Sequence, residues 1–273
     1  MTVHATERLR RVTSPQNALV KELRRAFSRG ECTPDGYCAI ESLRIVEEAI
    51  RSGLRFRAVF FSDSGAQARA ERLLPQIAAH VETLVLPDNI FSSAVATETP
   101  QGIAALVKLK ESDMEAALSA SVPFIVGMAG IQDPGNLGTI VRSAEAFGAN
   151  AVFLGESTVS QFNSKAVRAS AGSLFRMNTT RVQLGEIVPK LREHGIRLVG
   201  TSSHKGVALS EADLTGPLAL IIGSEGAGIP RELISELDTS VLIPHSPKVE
   251  SLNAGVAASI LLYEASRQRA AKE

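Results

Sequence analysis

Apolar residues recur along the chain in two rhythms that alternate for most of its length. Recurrence at three- and four-residue intervals predicts a helix with one buried face, and an unbroken apolar run between Gly, Pro or polar breaks predicts a buried strand. In "NALVKELRRAF", Leu19, Leu23 and Phe27 fall at i, i+4 and i+8, with Lys21, Arg24 and Arg25 off the stripe, which predicts a helix. After a break at "RGECTPDG" come a strand "YCAI", a helix "ESLRIVEEAIRSG" closed by Gly53, a strand "FRAVFFS", a helix "GAQARAERLLPQIAAH" and a strand "VETLVLP". That alternation predicts a small α/β unit with a mostly parallel sheet. The polar, Ala-rich "KESDMEAALSAS" after "ETPQGIAALVKL" marks a junction near residues 109–121, so domains are expected over 1–110 and 121–273.

A cleaner series follows. The strands "VPFIVGM", "NAVFLGE", "IRLVGTS", "LALIIGS" and "SVLIPH" are separated by "TIVRSAEAFGA", a helix around "NSKAVRASAGSLF", "LGEIVPKLREHG", a helix opened by Pro230 and a long terminal helix from Ser251. Unbroken apolar strands between helices predict a doubly wound parallel sheet, whose ligands bind at the carboxyl ends of the strands. The loops at those ends are "AGIQDPGNLG", "SSHKG", "GSEGAG" and "HSPKVESLN".

Composition supports this picture and adds one asymmetry. The chain has 273 residues, 44% hydrophobic and 21% charged, enough for two ordinary domains with cores. No apolar run reaches the roughly 18 residues of a membrane span, and "MTVHATERLRRV" lacks the apolar core of a signal peptide, so a cytoplasmic location is expected. Cys32 and Cys38 match no redox or metal spacing and are expected to be reduced thiols; the five histidines form no zinc pattern, so no metal is expected. Net charge is zero, but residues 1–57 hold 11 Lys+Arg against 7 Asp+Glu, residues 58–120 hold 4 against 8, and the rest balance at 14 each. The basic start reads either as a solvated helix face or as a nucleic-acid contact.

Three loops carry the chemistry. "GSEGAG" is neither a phosphate-binding Walker loop nor a dinucleotide fingerprint, which excludes a doubly wound dehydrogenase. Its Glu225 disfavours phosphate and suits a ligand with hydroxyls, amines or positive charge, so a nucleoside-like molecule without phosphates is expected. In "IQDPGNLGTIVRSAEAFGA", Asp133-Pro134-Gly135 makes a turn, Asn136 is the expected cap, and Arg142 is open between a surface arginine and a site residue. In "VESLNAGVAASILLYEASRQR", Ser251 is the expected N-cap and Leu252, Val256, Ile260 and Tyr263 the expected packing stripe, while Asn253 is left without a structural account.

Together "DPGNLGTIVRSAEAFGA", "LALIIGSEGAGIP" and "LIPHSPKVESLNAGVAASILLYE" resemble the three motifs of the SpoU (TrmH) family of the SPOUT superfamily, RNA ribose 2′-O-methyltransferases. The likeness covers residues 121–269, and the N-terminal part, through "SPQNALVKELRRAF", "YCAIESLRIVEEAI" and "TPQGIAALV", is similar to the family's substrate-binding domain. The resemblance implies an α/β fold with a SPOUT-type parallel sheet, a deep trefoil knot at its C-terminus, and a small N-terminal α/β substrate-binding domain. It implies S-adenosylmethionine as cofactor, held around Thr201, Ser202, Gly223, Gly228, Ile243, Pro244, Ser251 and Leu252, and a catalytic set of Asn136, Arg142, Glu225, Ser251 and Asn253. In that set Arg142 binds a phosphate and orients the nucleotide, Asn136 and Asn253 position by hydrogen bonds, Ser251 caps and fixes the cofactor loop, and Glu225 orients Arg142 or the ribose. It further implies a homodimer through the terminal helix and an RNA substrate, ribosomal rather than transfer RNA, gripped by Arg8, Arg10, Arg11, Lys21, Arg24 and Arg25; the rival is a non-catalytic assembly factor. His245 and Pro247 depart from the family's Met and Gly, and "NAGVA" from its bulkier "NVSVA".

Overall fold

The computed structural model describes residues 8–271, which form two compact units: the first takes in residues up to 110 together with 160–175, the second 111–159 with 176 onwards. Residues 160–175, which the sequence pattern places in the second series, therefore pack with the first. Ser160 Oγ donates to the Gly30 carbonyl at 2.6 Å, and Arg168 donates to Glu41 at 2.6 Å.

The first unit is built on the strands β1 (Arg10–Arg11), β2 (Tyr37–Glu41), β3 (Arg55–Ser62), β4 (Glu82–Leu86) and β5 (Ile103–Lys108), in the order β1-β4-β3-β5-β2. Only β5 runs against its neighbours β3 and β2. The sequence pattern assigns no element to β5: every residue from Ile103 to Val107 is buried, so the strand lies between covered faces and shows no alternation. Helix α1 (Ala18–Arg29) starts where the Asn17 side chain accepts from the Leu19 and Val20 amides. It stops at Gly30, whose φ of 60° lies in the left-handed region. Val20, Leu23 and Ala26 form its buried face, against Phe60, Leu84, Leu86 and Phe91. Helix α2 (Leu43–Arg51) follows β2 directly.

The second unit is one parallel sheet of seven strands: β6 (Phe124–Ala129), β7 (Ala151–Leu154), β8 (Asn178–Arg181), β9 (Arg197–Ser202), β10 (Val207–Ala208), β11 (Leu218–Gly223) and β12 (Thr239–Leu242). Their order is β10-β12-β9-β11-β6-β7-β8. The five expected strands are all present, and β8 and β10 add the edges. Those two are short, and β8 is polar and only partly buried, so neither carries an apolar signal. From β6 the chain winds outward through β7 and β8, then crosses to the far side of the sheet. That reversal puts the carboxyl ends of β6 and β11 side by side, Ala129 paired with Gly223, at the point where such sheets bind ligands.

Helices α3 (Pro134–Ala146) and α4 (Ala254–Ala270) pack together and share a 2.7 Å hydroxyl contact between Ser143 and Ser259. The structure corrects the packing stripe expected on α4. Val256, Ile260 and Tyr263 are 50%, 37% and 54% exposed, whereas the buried face is Ala254, Gly255, Ala258, Leu261, Leu262 and Ala265. Helical spacing serves both stripes, and α4 turns its small residues inward because they let α3 approach closely. Among the described residues no helix is long and apolar enough to cross a membrane.

Candidate active site

The three motif loops converge through one chain of hydrogen bonds. Asp133, not Asn136, caps α3: its carboxylate accepts from the Asn136 amide at 2.9 Å, with Pro134 at the first helical position. Asn136 is thereby placed in the first turn, only 8% exposed, with its side chain free of capping duty. Its Nδ2 donates to the Glu225 carboxylate, and its Oδ1 accepts from Asn253 Nδ2 at 2.9 Å. Asn253 is the true cap of α4, its Oδ1 accepting from the Val256 amide at 3.1 Å, while Ser251 is exposed two residues earlier. The residue left unexplained by helix propensity is the one that starts the helix. The chain breaks at Ser251 and Leu252 without helical backbone, so the cap falls where the backbone turns rather than at the first hydroxyl.

Glu225 is exposed at the tip of a tight loop. Ser224 and Gly228 exchange main-chain bonds at 3.1 and 3.0 Å, and Gly228 adopts a φ of 67°. A Cβ on Gly223 would lie 2.5 Å from the Gly228 carbonyl carbon, so only glycine lets the strand end against its own loop. Two further residues complete the cluster, and the sequence pattern assigns no site role to either. Besides the capping Asp133, there is Gly255, where a Cβ would meet Asn136 Oδ1 at 3.2 Å and Asn253 Oδ1 at 3.3 Å. The signal for Gly255 is a glycine in the first turn of a long helix, where it costs about 1 kcal/mol against alanine.

Other expected site residues lie around this cluster. Thr201 Oγ1 accepts from the Gly223 amide at 3.4 Å, and Ser202 Oγ accepts from the His204 and Lys205 amides at 3.3 and 3.0 Å. Ser202 pairs with Leu242 across β9 and β12, so the loops after these strands leave side by side. In the second loop Ile243 accepts from the His245 ring at 2.7 Å, Pro244 is exposed and Leu252 is half-buried. Arg142 is exposed on α3 and, among the described residues, has no hydrogen bond or ion pair. Glu225, expected to orient Arg142 or the ribose, has Asn136 rather than Arg142 as its hydrogen-bond partner among the described residues.

The basic segment presents a different picture. Arg8 donates to the carbonyls of Leu74, Ile77 and Ala78 at 3.0, 3.1 and 2.8 Å, closing the end of a 3₁₀ turn. Arg10 pairs with Glu82 at 3.0 Å, Arg11 with Asp63 at 2.7 Å, and Arg24 bonds Ser93 at 3.2 Å. Lys21 and Arg25 are exposed and, among the described residues, neither carries such a partner. Both cysteines are unpaired, and burial pushes the Cys32 thiol up to about 11 and the Cys38 thiol up as well, so neither is a nucleophile at neutral pH.

Known proteins share this architecture. Residues 123–263 match the model of the SpoU rRNA methylase family, and residues 17–105 that of the MRM3-like substrate binding domain. The chain is 32% identical over 255 residues, 93% of its length and 98% of the other, to a Bacillus subtilis protein named 23S rRNA (guanosine(2553)-2′-O)-methyltransferase RlmP. It superposes on the SpoU methyltransferase AviRb from Streptomyces viridochromogenes, solved with AdoMet, with a TM-score of 0.81 at 27% identity, covering 93% of this chain and 98% of that one. On the AdoMet-bound rRNA methyltransferase from Sinorhizobium meliloti the TM-score is 0.79 at 27% identity, covering 95% and 98%.

Proposed function

The chain belongs to the SpoU rRNA methylase family, and from that membership we propose that it methylates a ribose 2′-hydroxyl of ribosomal RNA with S-adenosylmethionine, using the Asn253–Asn136–Glu225 chain and Arg142. Its second unit has the fold of the SPOUT methyltransferases. The observation that carries the site assignment is that three loops far apart in sequence meet through one oriented set of bonds at the switch point of the sheet.

The loops suit this cofactor. A carboxylate stands at the loop tip where a phosphate-binding loop keeps backbone and lysine, and no described cation pairs with it. That is a fit to a phosphate-free ligand carrying hydroxyls, an ammonium and a sulfonium. Gly223, Gly228, Thr201 and Ser202 on one side and Ile243, Pro244, Ser251 and Leu252 on the other are the residues that would hold it. When bound, S-adenosylmethionine supplies an electrophilic methyl for in-line displacement.

The residues of this chain have three tasks in that displacement. Asn136 is locked from both sides, so Glu225 is held in one orientation, with its second oxygen open to the ligand or the ribose. Arg142, without a partner among the described residues, binds the phosphate beside the target nucleotide through its planar fork and orients the 2′-hydroxyl. The hydroxyl proton leaves to that phosphate or to water, because a guanidinium stays protonated at neutral pH. Positioning of this kind lowers the barrier by roughly 7–11 kcal/mol. Arg142→Lys keeps the charge and loses the fork, and is expected to abolish turnover; near-normal rates in that variant would remove the role.

We assign residues 1–110 to RNA substrate binding and 121–273 to catalysis, with the protein a homodimer through the exposed stripe of α4, Val256, Ile260 and Tyr263. Apolar side chains aligned on one helix face call for a cover. Ile260→Glu should yield a monomer in light scattering; an unchanged oligomer would place the interface elsewhere. The deciding experiment for function is methylation of ribosomal and transfer RNA with labelled cofactor and mapping of the methylated ribose. Label in transfer RNA alone, or in no RNA despite calorimetric binding of the cofactor, would overturn the proposal.

A further inference from the structure

The first unit holds a cavity of about 580 Å³ at the amino-terminal ends of β3 and β4, well away in sequence from the motif loops. Its floor is apolar, from Leu54, Phe56 and Ile77, and its rim carries Tyr37, Arg55 and His80. Arg57 lies over the Tyr37 ring, its guanidinium carbon 5.7 Å from the ring centre. This geometry is imposed by the backbone. The pairing of β3 with β5 slips between Phe56 and Ala58, leaving Arg57 as the extra residue of a bulge. A bulge re-aims a side chain that regular pairing would fix elsewhere. Glu22 then grips the guanidinium at 3.0 and 3.2 Å, with Asp35 at 3.8 Å, so the Arg57 plane is held in place beside the cavity.

Charge is arranged alongside. Lys108 pairs in register with Tyr37 on one side and Arg55 on the other, so these three side chains stand in one row on one face of the sheet. Neither Arg55 nor Lys108 has an acidic partner among the described residues, whereas Arg10, Arg11, Arg51 and Arg72 of the same unit are each paired. A rigid guanidinium–aromatic plane beside an apolar hollow, flanked by two free cations, matches the chemistry of an unstacked nucleotide: stacking for the base and charge for the phosphate.

We propose that this cavity binds one unpaired nucleotide of the RNA substrate, its base against the Arg57–Tyr37 plane and its phosphate against Arg55 and Lys108. The proposal rests on the reading of the protein as an RNA methyltransferase, and places a specificity contact in the first unit apart from the arginines of residues 8–25.

Two variants and two readouts test it. Arg55→Glu with Lys108→Glu, and Tyr37→Leu, are compared with wild type in anisotropy titrations of a labelled single-stranded oligoribonucleotide, and in methylation of ribosomal RNA. Each variant should weaken oligoribonucleotide binding about tenfold or more and raise KM for RNA, with kcat and cofactor affinity unchanged. The charge variant should also flatten the dependence of log Kd on log salt by about 1.4, at roughly 0.7 per lost single-strand contact. Tyr37→Phe should bind as wild type, since it keeps the ring. Oligoribonucleotide affinities of both variants within about twofold of wild type would overturn the cavity assignment whether or not methylation is seen. A wild-type protein that binds the oligoribonucleotide in a cavity-dependent way yet methylates no RNA would instead overturn the proposed function.

Discussion

The motif loops of the second unit and the arginine-rich start of the first are equally conspicuous in the sequence, and they have opposite fates in the structure. In the loops, Asn136, Glu225 and Asn253 find one another across separations of 89 and 117 residues. At the start, Arg8, Arg10, Arg11 and Arg24 find carbonyls, carboxylates and a hydroxyl of their own unit. The difference lies in what local structure can absorb. An arginine at the edge of a folded unit readily meets an acidic or carbonyl partner, so density of charge says little about who receives it. An asparagine buried in a first helical turn, with its cap supplied by another residue, has no local use for its amide and must be satisfied by a distant group.

The largest expected effect breaks the loop side of this contrast. Asn136→Ala removes both of its side-chain bonds and should lower single-turnover methylation by about 100-fold or more, with cofactor binding by calorimetry largely kept. Turnover within a few-fold of wild type would mean that the convergent cluster is structural after all. On the other side, Arg8→Ala should destabilise the protein by about 1–3 kcal/mol, read from the denaturant midpoint, and leave RNA affinity of the folded protein unchanged. A variant of normal stability that binds RNA poorly would return Arg8 to the RNA surface.

Gly255→Ala sharpens the loop side further. Alanine favours the helix by about 1 kcal/mol, yet its Cβ presses on Asn136 and Asn253, so activity should fall about tenfold without a fall in melting temperature. Activity and stability moving together would contradict the claim that this glycine serves the cluster. The smallest effect belongs to Lys21 and Arg25, which have no side-chain partner among the described residues. Replacing both with Ala should weaken RNA binding only a few-fold, with a salt dependence shallower by up to about 2.

Most of the framework was legible in the sequence because burial leaves a simple trace. All five apolar runs of the second unit are strands of one parallel sheet. Among the strands, those without such a trace were the ones the pattern did not reveal: β1, β8 and β10 at sheet edges, which bury little, and β5, which buries everything and so loses its alternation. Within the site, the residue types were legible and their duties were not. Ser251 and Asn136 looked like caps, but Asn253 and Asp133 hold those positions. A cap is defined by where the backbone turns, and several polar residues in one short loop compete for it.

The sequence by itself determined most of the helices and the apolar strands, the loops that join them, and the polar residues set at the ends of strands, because propensity, periodicity and glycine conformations act over a few residues. Only the tertiary structure decided which of two apolar stripes on α4 is covered, and which residues meet at Asn136. Periodicity states that a face will be buried and is silent on the neighbour that buries it. That neighbour is α3, whose close packing selects the small residues of α4, turns Val256, Ile260 and Tyr263 outward, and brings Asn253 within hydrogen-bond reach of Asn136.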